Sequence, residues 1–457
     1  MSRVLIAGAS GFIGQNLLER LELDENLSIV ALSRQKVSVT HERLEWKQAD
    51  LFSLKDITAA MEGCDQVIYL VHSMLPSASL VQGKFYDLDL ILADNFARAA
   101  KIHKVQHILY LGGLLPEDRS HLSWHLKSRQ EVEKILKDAA PVVTVLRAGM
   151  VLGSSGSSFV MMKRLVQKLP IMVCPSWTDT PAQTIDLHDL TSVLRECLIN
   201  ISVQGKTWDV GGKEILTYRQ LMELTAEIFH KHVYFMRINL FSPRISRFWV
   251  SLITRAPKAL VYPLIESLTH PMLVRPENRF PVESLMNTSI RTSIERIVLI
   301  DAQPVHAFRP TVRSGEPKSA RSVQRLTLPA GKDATWVAEE YFRWLPMFFS
   351  FIIKTKVVGN FCYFYFIHPK IVLLILEKST ERSTPERQLL YVRGGLLSLN
   401  EGRARLEFRE VMNKKFIMAG IHDFRPALPW RVYKYTQAIV HLIVMKAFGV
   451  HLKLKDA

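Results

Sequence analysis

The chain has 457 residues, 48% of them apolar, so we expect two or three packed domains and no extended disordered segment. Its net charge of +16 suits nucleotides, anionic lipid or nucleic acid, but no Lys/Arg block, zinc-finger spacing or RNA-binding signature favours a nucleic-acid partner. The four cysteines are far apart without a C-x-x-C pair, which argues against a zinc site or a disulfide framework and indicates a reducing compartment.

The start of the chain predicts a strand, a glycine turn and a helix. Residues 4–7 are apolar, residues 8–14 contain three glycines, and residues 15–21 have helical periodicity. Gly8 would allow a sharp turn, Gly11 would let the backbone approach a pyrophosphate, and Gly14 would let the helix pack closely on the strand. The amides of the first helical turn would then face the phosphates. The predicted cofactor contacts here are Gly8, Ser10, Gly11, Phe12, Ile13 and Gly14.

The end of the second predicted strand, residues 27–32, carries information on the nucleotide. An NAD site usually has Asp or Glu at this point, to bind the ribose 2′-hydroxyl. This sequence has Ser33 and Arg34, followed by Lys36, and a hydroxyl with a guanidinium suits a 2′-phosphate. The pattern favours NADP(H) over NAD(H). The alternative is that Arg34 and Lys36 are solvated loop charges.

Strands and helices then alternate, which predicts an α/β fold with a Rossmann-like, doubly wound parallel sheet. We predict strands at 44–49, 66–71, 107–111 and 142–146, and helices at 83–104 and 127–139. Asp50 and Leu51 follow one strand and are candidate contacts to the adenine. Val71 and His72 end another, at the carboxyl edge where such sheets bind ligands.

The glycine turn, Asp50-Leu51 and residues 109–111 and 146–149 resemble the atypical short-chain dehydrogenases. The NmrA-like group is the most similar, and it includes the nucleotide-binding accessory subunit of respiratory complex I. Residues 158–175 and 209–218 are similar to a bacterial subgroup with an additional C-terminal domain of unassigned activity. The resemblance implies an NAD(P)-binding domain over residues 1–300, with a small substrate lobe, mostly residues 150–296, that closes over the nicotinamide.

Comparison with this family also predicts that its usual catalytic residues are missing. Active members use a serine, and a Tyr-x-x-x-Lys in which tyrosine is the acid and base. The serine position here reads Gly112-Gly113, and the Tyr-x-x-x-Lys position reads His125 to Arg129. His125 could transfer a proton and Arg129 could hold a ribose, so they are the catalytic candidates. The alternative is that His125 is structural, with no chemistry retained.

A linker at 301–322, rich in proline and basic residues, precedes a C-terminal α+β domain at 323–457. Residues 403–409 alternate polar and apolar and, with 416–424, predict a hairpin; residues 430–448 predict a helix whose apolar face includes Ile439 and Ile443. This pattern resembles the helix-grip, lipid-transfer-like fold, whose cavity implies a small apolar ligand. The alternative is a packed domain without a ligand.

Two hypotheses of function follow from these features. The first is an NAD(P)(H)-dependent oxidoreductase acting on an apolar substrate such as a quinone or lipid. The second is a non-catalytic NADP(H) sensor or assembly factor with a degenerate active site. We expect no metal. The strand begins directly after residues 1–3, leaving no room for a signal peptide, so we expect a cytoplasmic protein with peripheral membrane contact through residues 361–366 as an open alternative.

Overall fold

The computed structural model describes residues 1–22, 24–37, 42–73, 80–120, 122–238, 250–251, 253–255, 257–302, 318–350, 352–399 and 402–456. Most of the predicted linker lies outside the described residues. The strands are β1 Ser2–Ala7, β2 Leu27–Ser33, β3 Leu44–Gln48, β4 Gln66–Tyr69, β5 Leu80–Gln82, β6 His107–Gly113, β7 Val142–Ala148, β8 Val151–Leu152, β9 Ile171–Pro175, β10 Pro181–Ala182, β11 Ile185–Asp186, β12 Thr207–Val210, β13 Leu216–Thr217, β14 Tyr234–Ile238, β15 Ala320–Thr327, β16 Ile353–Val358, β17 Phe361–Phe366, β18 Val372–Lys378, β19 Arg387–Gly394, β20 Arg405–Val411 and β21 Phe416–Phe424.

The helices alternate with these strands in the first part of the chain and are fewer among the strands near its end. They are α1 Phe12–Leu21, α2 Leu54–Met61, α3 Phe85–Ile102, α4 Trp124–Lys137, α5 Ser157–Lys168, α6 Leu187–Ile199, α7 Tyr218–Ile228, α8 Lys258–Ser267, α9 Ile290–Ala302, α10 Ala334–Phe348, α11 Trp430–Tyr435 and α12 Gln437–Asp456.

The chain divides into two compact units. The first unit comprises Met1–Met74 and Leu92–Thr311, and the second comprises Leu75–Ile91 and Val312–Ala457. Residues 75–91 therefore belong to the second unit, whereas the sequence pattern placed them in the first domain. The reason is visible in β5, which pairs in parallel with β15 through Leu80 and Ala320.

The first unit is built on a seven-stranded sheet of order β12-β7-β6-β4-β1-β2-β3, in which every neighbouring pair is parallel. The Rossmann-like, doubly wound sheet predicted from the sequence is confirmed. Its order reverses between β1 and β4, and in such sheets the ligand crevice lies outside the carboxyl ends of the strands at this point. The core is apolar on both sides of the sheet because β1, β2 and β4 are continuous hydrophobic runs.

A smaller lobe follows β7 in the first unit. It contains α5, α7 and α9, which pack around Phe159, Leu221 and Ile294, together with the short parallel pair β9 and β14. The predicted run from Phe241 to Leu268 lies partly outside the described residues. Within the part that is described, helix α8 contributes Val261 and Ile265 to a separate apolar cluster with Trp177.

The second unit is built on an eight-stranded mixed sheet of order β16-β17-β18-β19-β20-β21-β15-β5. All its neighbouring pairs are antiparallel except β15 with β5. The predicted hairpin is present as β20 and β21, and its turn has left-handed backbone at Met412, Asn413 and Lys414. Helices α10 and α12 pack together on the sheet, with the rings of Tyr341 and Phe448 5.1 Å apart.

The terminal helix differs from its prediction in two ways. It is interrupted at Thr436, and the face predicted as buried is exposed: Ile439 is 44% exposed and Ile443 53%. The buried side is instead formed by residues such as Val444 and Phe448. Residues Trp430–Asp456 have the length and the mean hydropathy, 1.3, to cross a bilayer by composition alone, a criterion that core helices also meet.

The polar residues of β20 are not in water, although the alternating sequence would lead one to expect it. An alternating strand usually leaves its polar residues in water, but all seven residues of β20 are buried. Glu407 receives hydrogen bonds from Arg387 and Arg409. Burial alone would raise the pKa of Glu407, yet these two arginines hold it well below its usual value. The arginines of this strand therefore serve packing within the sheet.

Buried neutral histidines predict acid sensitivity of the fold. His107 is buried between Gln66 Oε1 and Thr144 Oγ1, each 2.8 Å away, and burial lowers its pKa from 6.5 to about 4. Between pH 6.5 and pH 4 the unfolded chain therefore binds a proton that the folded chain excludes, so the stability present above pH 6.5 is lost on acidification. The loss is up to about 1.4 kcal/mol per pH unit.

We expect His107→Asn to make the pH dependence of the melting temperature shallower between pH 6.5 and 4. The exposed His230, changed to Asn, is the matched control and should leave the slope as it is in the parent. Melting followed by circular dichroism at half-unit pH steps measures this. Parallel curves for the parent and His107→Asn would show that His107 is not the group that takes up the proton.

Candidate functional site

The predicted glycine turn lies at the carboxyl end of β1, where the sheet order reverses. Gly8 has a φ of +93°, and its carbonyl accepts a hydrogen bond of 2.9 Å from the Gly11 amide. A side chain on Gly14 would collide with the Gly8 oxygen and with the backbone of Ala9, so only glycine allows this approach of α1 to β1. The turning and packing roles predicted for Gly8 and Gly14 thus have a geometric basis.

The start of helix α1 is suited to a phosphate group. Its N-cap residue is Gly11, which provides no side-chain cap, and the first helical hydrogen bond joins the Gln15 amide to the Gly11 carbonyl at 3.0 Å. The amides of Phe12, Ile13 and Gly14 therefore lack acceptors within the helix, as at every helix start. These donors and the helix dipole fit a pyrophosphate.

A loop of the smaller lobe covers the ring of Phe12. A Cβ atom on Gly153 would collide with the Phe12 ring, and one on Gly156 would lie 3.1 Å from it. These two glycines in the 153–158 loop therefore make room for an aromatic side chain. The sequence singled out Phe12 as a cofactor contact but gave no sign of this packing, because the two glycines lie about 140 residues further along the chain.

At the end of β2, Ser33 is buried and Arg34 is exposed. The Ser33 hydroxyl accepts a 3.1 Å hydrogen bond from the Gln35 amide. The backbone carbonyl of Arg34 accepts from Gln48 Nε2 at 3.0 Å. The guanidinium is therefore solvent-accessible at the end of a strand whose backbone is fixed, whereas the serine hydroxyl already helps to form the turn.

Asp50 and Leu51, the candidate adenine contacts, form a turn after β3. The Asp50 carboxylate accepts a 3.1 Å bond from the Phe52 amide, and the buried Leu51 carbonyl accepts from Asn95 Nδ2 at 2.7 Å. Both interactions fix the backbone after β3, and the Leu51 side chain is mostly buried, with 8% of the residue exposed.

The structure brings together two histidines that the sequence analysis treated separately. His72 follows β4, and His125 lies in the first turn of α4, which begins three residues earlier than predicted. His72 Nε2 and His125 Nδ1 are 3.2 Å apart, and the rings stack with their centroids 5.1 Å apart. In such a contact one imidazole donates and the other accepts. A pair of this kind can hold and transfer a proton near neutral pH.

Arg129 and Gly113 adjoin the same helix. Arg129 is 7% exposed, and its Nη1 donates to the Val71 carbonyl at 3.5 Å. A Cβ atom on Gly113 would lie 3.8 Å from Arg129 Cγ, an ordinary van der Waals distance. The three positions that correspond to the dehydrogenase Ser, Tyr and Lys are therefore clustered here, although none of them has the usual residue.

A buried ion-pair network supports the last strands of this sheet. Arg147 binds Glu133 of α4 through two hydrogen bonds of 3.0 and 2.7 Å, and Arg275 binds Asp209 at 2.6 and 2.9 Å. Burial alone would raise the pKa of Glu133, but Arg147 and Lys137 lower it below its usual value. Arg147, part of a motif noted in the sequence, thus has a structural role. Its bonds to Glu133 hold helix α4, which carries His125, against the sheet.

The sequence of this region also matches a known family. Residues 8–164 match the model of a family described as NAD(P)H-binding. The chain carries an NAD(P)H-binding domain. Its cofactor is a nicotinamide nucleotide, NADP or NAD, and the geometry of the α1 start fits the pyrophosphate of either. The NAD(P)-binding domain that the predicted resemblance implies is confirmed for this part of the chain.

Two curated proteins are similar to parts of the chain. The auxiliary protein GraX of Staphylococcus aureus is 34% identical over 111 residues, which are 24% of this chain and 36% of that protein. Subunit 9 of the NADH dehydrogenase 1 alpha subcomplex, from Arabidopsis thaliana mitochondria, is 22% identical over 227 residues, 48% of this chain and 56% of that protein. The chain therefore spans 36% and 56% of the lengths of these relatives.

Solved structures share the fold of the first unit. A nucleoside-diphosphate-sugar epimerase of Staphylococcus aureus has a TM-score of 0.52 at 14% identity, with coverage of 65% of this chain and 100% of that one. An NADPH-dependent quinone oxidoreductase of Escherichia coli has 0.50 at 18%, covering 65% and 99%. A triphenylmethane reductase of Citrobacter has 0.52 at 15%, covering 65% and 100%. At these identities the similarity establishes the fold alone.

The glycine turn allows binding to be separated from folding by mutation. We expect Gly11→Ala to fold, because its backbone is extended (φ −83°) and a Cβ atom would contact only the Gly8 oxygen at 3.1 Å. It should still bind NADPH about tenfold to a hundredfold more weakly, the cost of one charge-assisted hydrogen bond. Gly14→Ala should lower the free energy of unfolding by about 1–3 kcal/mol through overpacking.

Urea unfolding and the fluorescence of bound NADPH measure the two effects separately. Gly63→Ala is the control for a glycine with no atoms near its Cβ position but with positive φ, and it should leave nucleotide affinity unchanged. Equal NADPH affinities of Gly11→Ala and the parent would contradict the assigned approach of the pyrophosphate.

Proposed function

We propose that the protein is an NADP(H)-dependent oxidoreductase that acts on an apolar substrate such as a quinone or lipid. The observation that carries this proposal is the contact of His72 with His125 at 3.2 Å, beside the strand ends that border the nucleotide crevice. A proton donor is what a reductase of this fold needs after its tyrosine is lost. The pair supplies one from two imidazoles.

Each predicted site residue has a task in this proposal. The amides that start α1 bind the pyrophosphate, with Ser10 in the preceding turn, and Asp50 and Leu51 border the adenine. Arg129 holds the ribose side of the crevice next to Val71. When bound, the nucleotide supplies a hydride from its nicotinamide ring. His125 gives the proton to the substrate oxygen, and His72 is positioned by its hydrogen bond to replace that proton.

The apolar character of the substrate is suggested by a cavity in the smaller lobe, which is large enough for a methyl or short alkyl group of the substrate but not for a whole ring. The cavity has a volume of about 60 Å³ and is lined mainly by methionine, leucine and aromatic side chains, among them Met161, Met162 and Trp177. One wall comes from α8 and the residue after it, Leu268. Ser267 at the end of that helix lies 2.9 Å, Oγ to Oγ, from Ser123, the residue that caps α4 two positions before His125. Methionine-rich walls adapt to apolar ligands of varied shape.

The exposed guanidinium at the end of β2 predicts cofactor preference. We expect the parent to bind NADPH more tightly than NADH by about tenfold to a hundredfold, the value of a charge-assisted contact with the 2′-phosphate. Arg34→Asp should narrow or reverse this difference. The exposed Lys231, changed to Asp, is the control with the same charge change. Nucleotide titrations give both affinities. Equal NADPH and NADH curves for the parent would rule out selection by Arg34.

The histidine pair predicts the kinetics. We expect little NADPH oxidation with ordinary carbonyl substrates of short-chain dehydrogenases, and turnover with a soluble benzoquinone. His125→Phe should lower kcat about a hundredfold, a typical contribution of a general acid, and His72→Phe should change the pH profile of kcat. The exposed His230→Asn serves as control. Turnover that His125→Phe leaves unchanged would exclude His125 as the acid.

A second candidate function is a non-catalytic NADP(H) sensor or assembly factor. The specific observation in its favour is that Gly113, His125 and Arg129 stand where the dehydrogenase Ser, Tyr and Lys would be, with Arg129 almost fully buried. The triple variant Gly113→Ser, His125→Tyr, Arg129→Lys distinguishes the two functions. Gain of carbonyl reduction by this variant over a parent inactive with both carbonyls and quinones would favour the sensor.

We place this activity in a reducing compartment, the cytoplasm, because Cys64, Cys174, Cys197 and Cys362 are all unpaired and buried. Membrane contact, if it contributes to delivery of the substrate, would use the exposed apolar side of the terminal helix. Ile443 on that side is 53% exposed, and in the aromatic strand that we predicted for this role Phe366 is 40% exposed while Phe364 is buried.

A further inference from the structure

The second unit contains a cavity between its sheet and the terminal helix. Its volume is about 160 Å³, and its walls are mostly apolar, with Leu345 of α10, Phe364 of β17, Leu376 of β18 and Val444 of α12 among them. An engineered cavity of about 150 Å³ with a comparable lining binds benzene. The cavity is therefore large enough for one six-membered ring.

Two buried polar atoms face this cavity from helix α12. Gln437 and His441 both line it, and at a spacing of four residues they lie on one face of the helix. Within the described residues, Gln437 Oε1 and His441 Nε2 are buried and have no hydrogen-bond partner. Buried polar atoms without partners are rare in folded proteins, and each such atom requires an explanation. A ligand that completes these hydrogen bonds would be such an explanation.

The walls exclude a charged ligand. Among the described residues that line the cavity there is no Lys, Arg, Asp or Glu. Burial also lowers the pKa of His441 to about 4, so the imidazole is neutral at pH 7 and cannot balance a carboxylate. An ion placed here would be buried without a counter-ion, which is strongly unfavourable. A fatty acid anion is therefore a poor candidate.

The two polar atoms also restrict the functional group of the ligand. Gln437 Oε1 can only accept a hydrogen bond, so the ligand must bring a donor. A hydroxyl can donate to Gln437 Oε1 while its oxygen accepts from His441 in the tautomer protonated at Nε2. A ketone or ether oxygen would satisfy His441 alone. Of the other hydroxyl groups in the wall, that of Ser322 already accepts a hydrogen bond from Gln324 Nε2 at 2.8 Å. Tyr341 and Tyr433 also line the cavity and can pair with a ligand oxygen, but a donor at Gln437 Oε1 is still required.

We propose that this cavity is a binding site for a small neutral phenol or a similar alcohol, whose ring fills the apolar part and whose hydroxyl pairs with Gln437 and His441. Val440 belongs to the wall and is 48% exposed, so the cavity opens to the outside beside this residue. The site lies entirely in the second unit. It is independent of the oxidoreductase activity proposed for the first unit.

The test uses the full chain with three probes of similar size: phenol, toluene and benzoate. Calorimetric titration at pH 7 should show phenol binding about tenfold to a hundredfold more tightly than toluene, the net value of two added hydrogen bonds, and no binding of benzoate. Equal affinities for phenol and toluene, tighter binding of benzoate, or no binding of phenol would each overturn the proposal.

Variants at the two polar residues localise the effect. His441→Leu and Gln437→Met should each lower phenol affinity toward that of toluene and leave toluene affinity unchanged, with cooperative melting as proof of folding. Val444→Phe should block both ligands by filling the cavity. Ile439→Gln, at a residue of the same helix that is 44% exposed and outside the cavity wall, is the matched control. Phenol affinity that neither polar variant lowers would place the binding elsewhere and overturn the assignment.

Discussion

The close approach of helix α1 to strand β1 is the constraint on which the nucleotide site depends. Only an atom as small as hydrogen fits at Gly14 against the Gly8 carbonyl, and Gly8 itself needs left-handed backbone. This contact directs the uncapped start of α1 toward the crevice at the reversal of strand order. It also fixes Phe12, whose ring the loop glycines Gly153 and Gly156 accommodate, so that the smaller lobe is positioned relative to the same helix.

The contact of His72 with His125 depends on a second local feature, the start of helix α4. Ser123 caps that helix by accepting from the Leu126 amide, and the helix consequently begins at Trp124. His125 then lies in the first turn and reaches His72 at the end of β4. Below it, Glu133 and Arg147 fix α4 to the neighbouring strand β7. These bonds and the Ser123 cap hold the first turn of α4, and with it His125, in place against the sheet.

Sequence patterns were sufficient for the features that depend on local chemistry. The continuous apolar strands, the glycine turn and the hairpin around Asn413 each follow from residues close together in the chain. The contact of His72 with His125 could not be predicted, because it joins positions 53 residues apart. Strand β5 could not be predicted either, since its three residues pair with Ala320, Arg321 and Ser322, about 240 residues further along the chain.

The terminal helix shows a different limit of sequence reasoning. Helical periodicity assigned the apolar stripe with Ile439 and Ile443 to the interior, because burial of the most hydrophobic face is the usual rule. In the structure Gln437 and His441 face the interior instead. A hydrophobic-face rule fails where a helix presents polar groups to an internal cavity, as Gln437 and His441 do here.

The net charge of +16 is a poor measure of how strongly the protein attracts nucleotides. Part of the excess positive charge lies inside the protein: Arg147, Arg387 and Arg409 are each less than 10% exposed, and whereas Arg147 binds Glu133, Arg387 and Arg409 share the single carboxylate of Glu407. Buried pairs of this type position strands and attract no external anion. A total charge therefore overstates the attraction for nucleotides. What recognises a phosphate is a cation that stays in water on a fixed backbone, and in the nucleotide domain Arg34 meets both conditions.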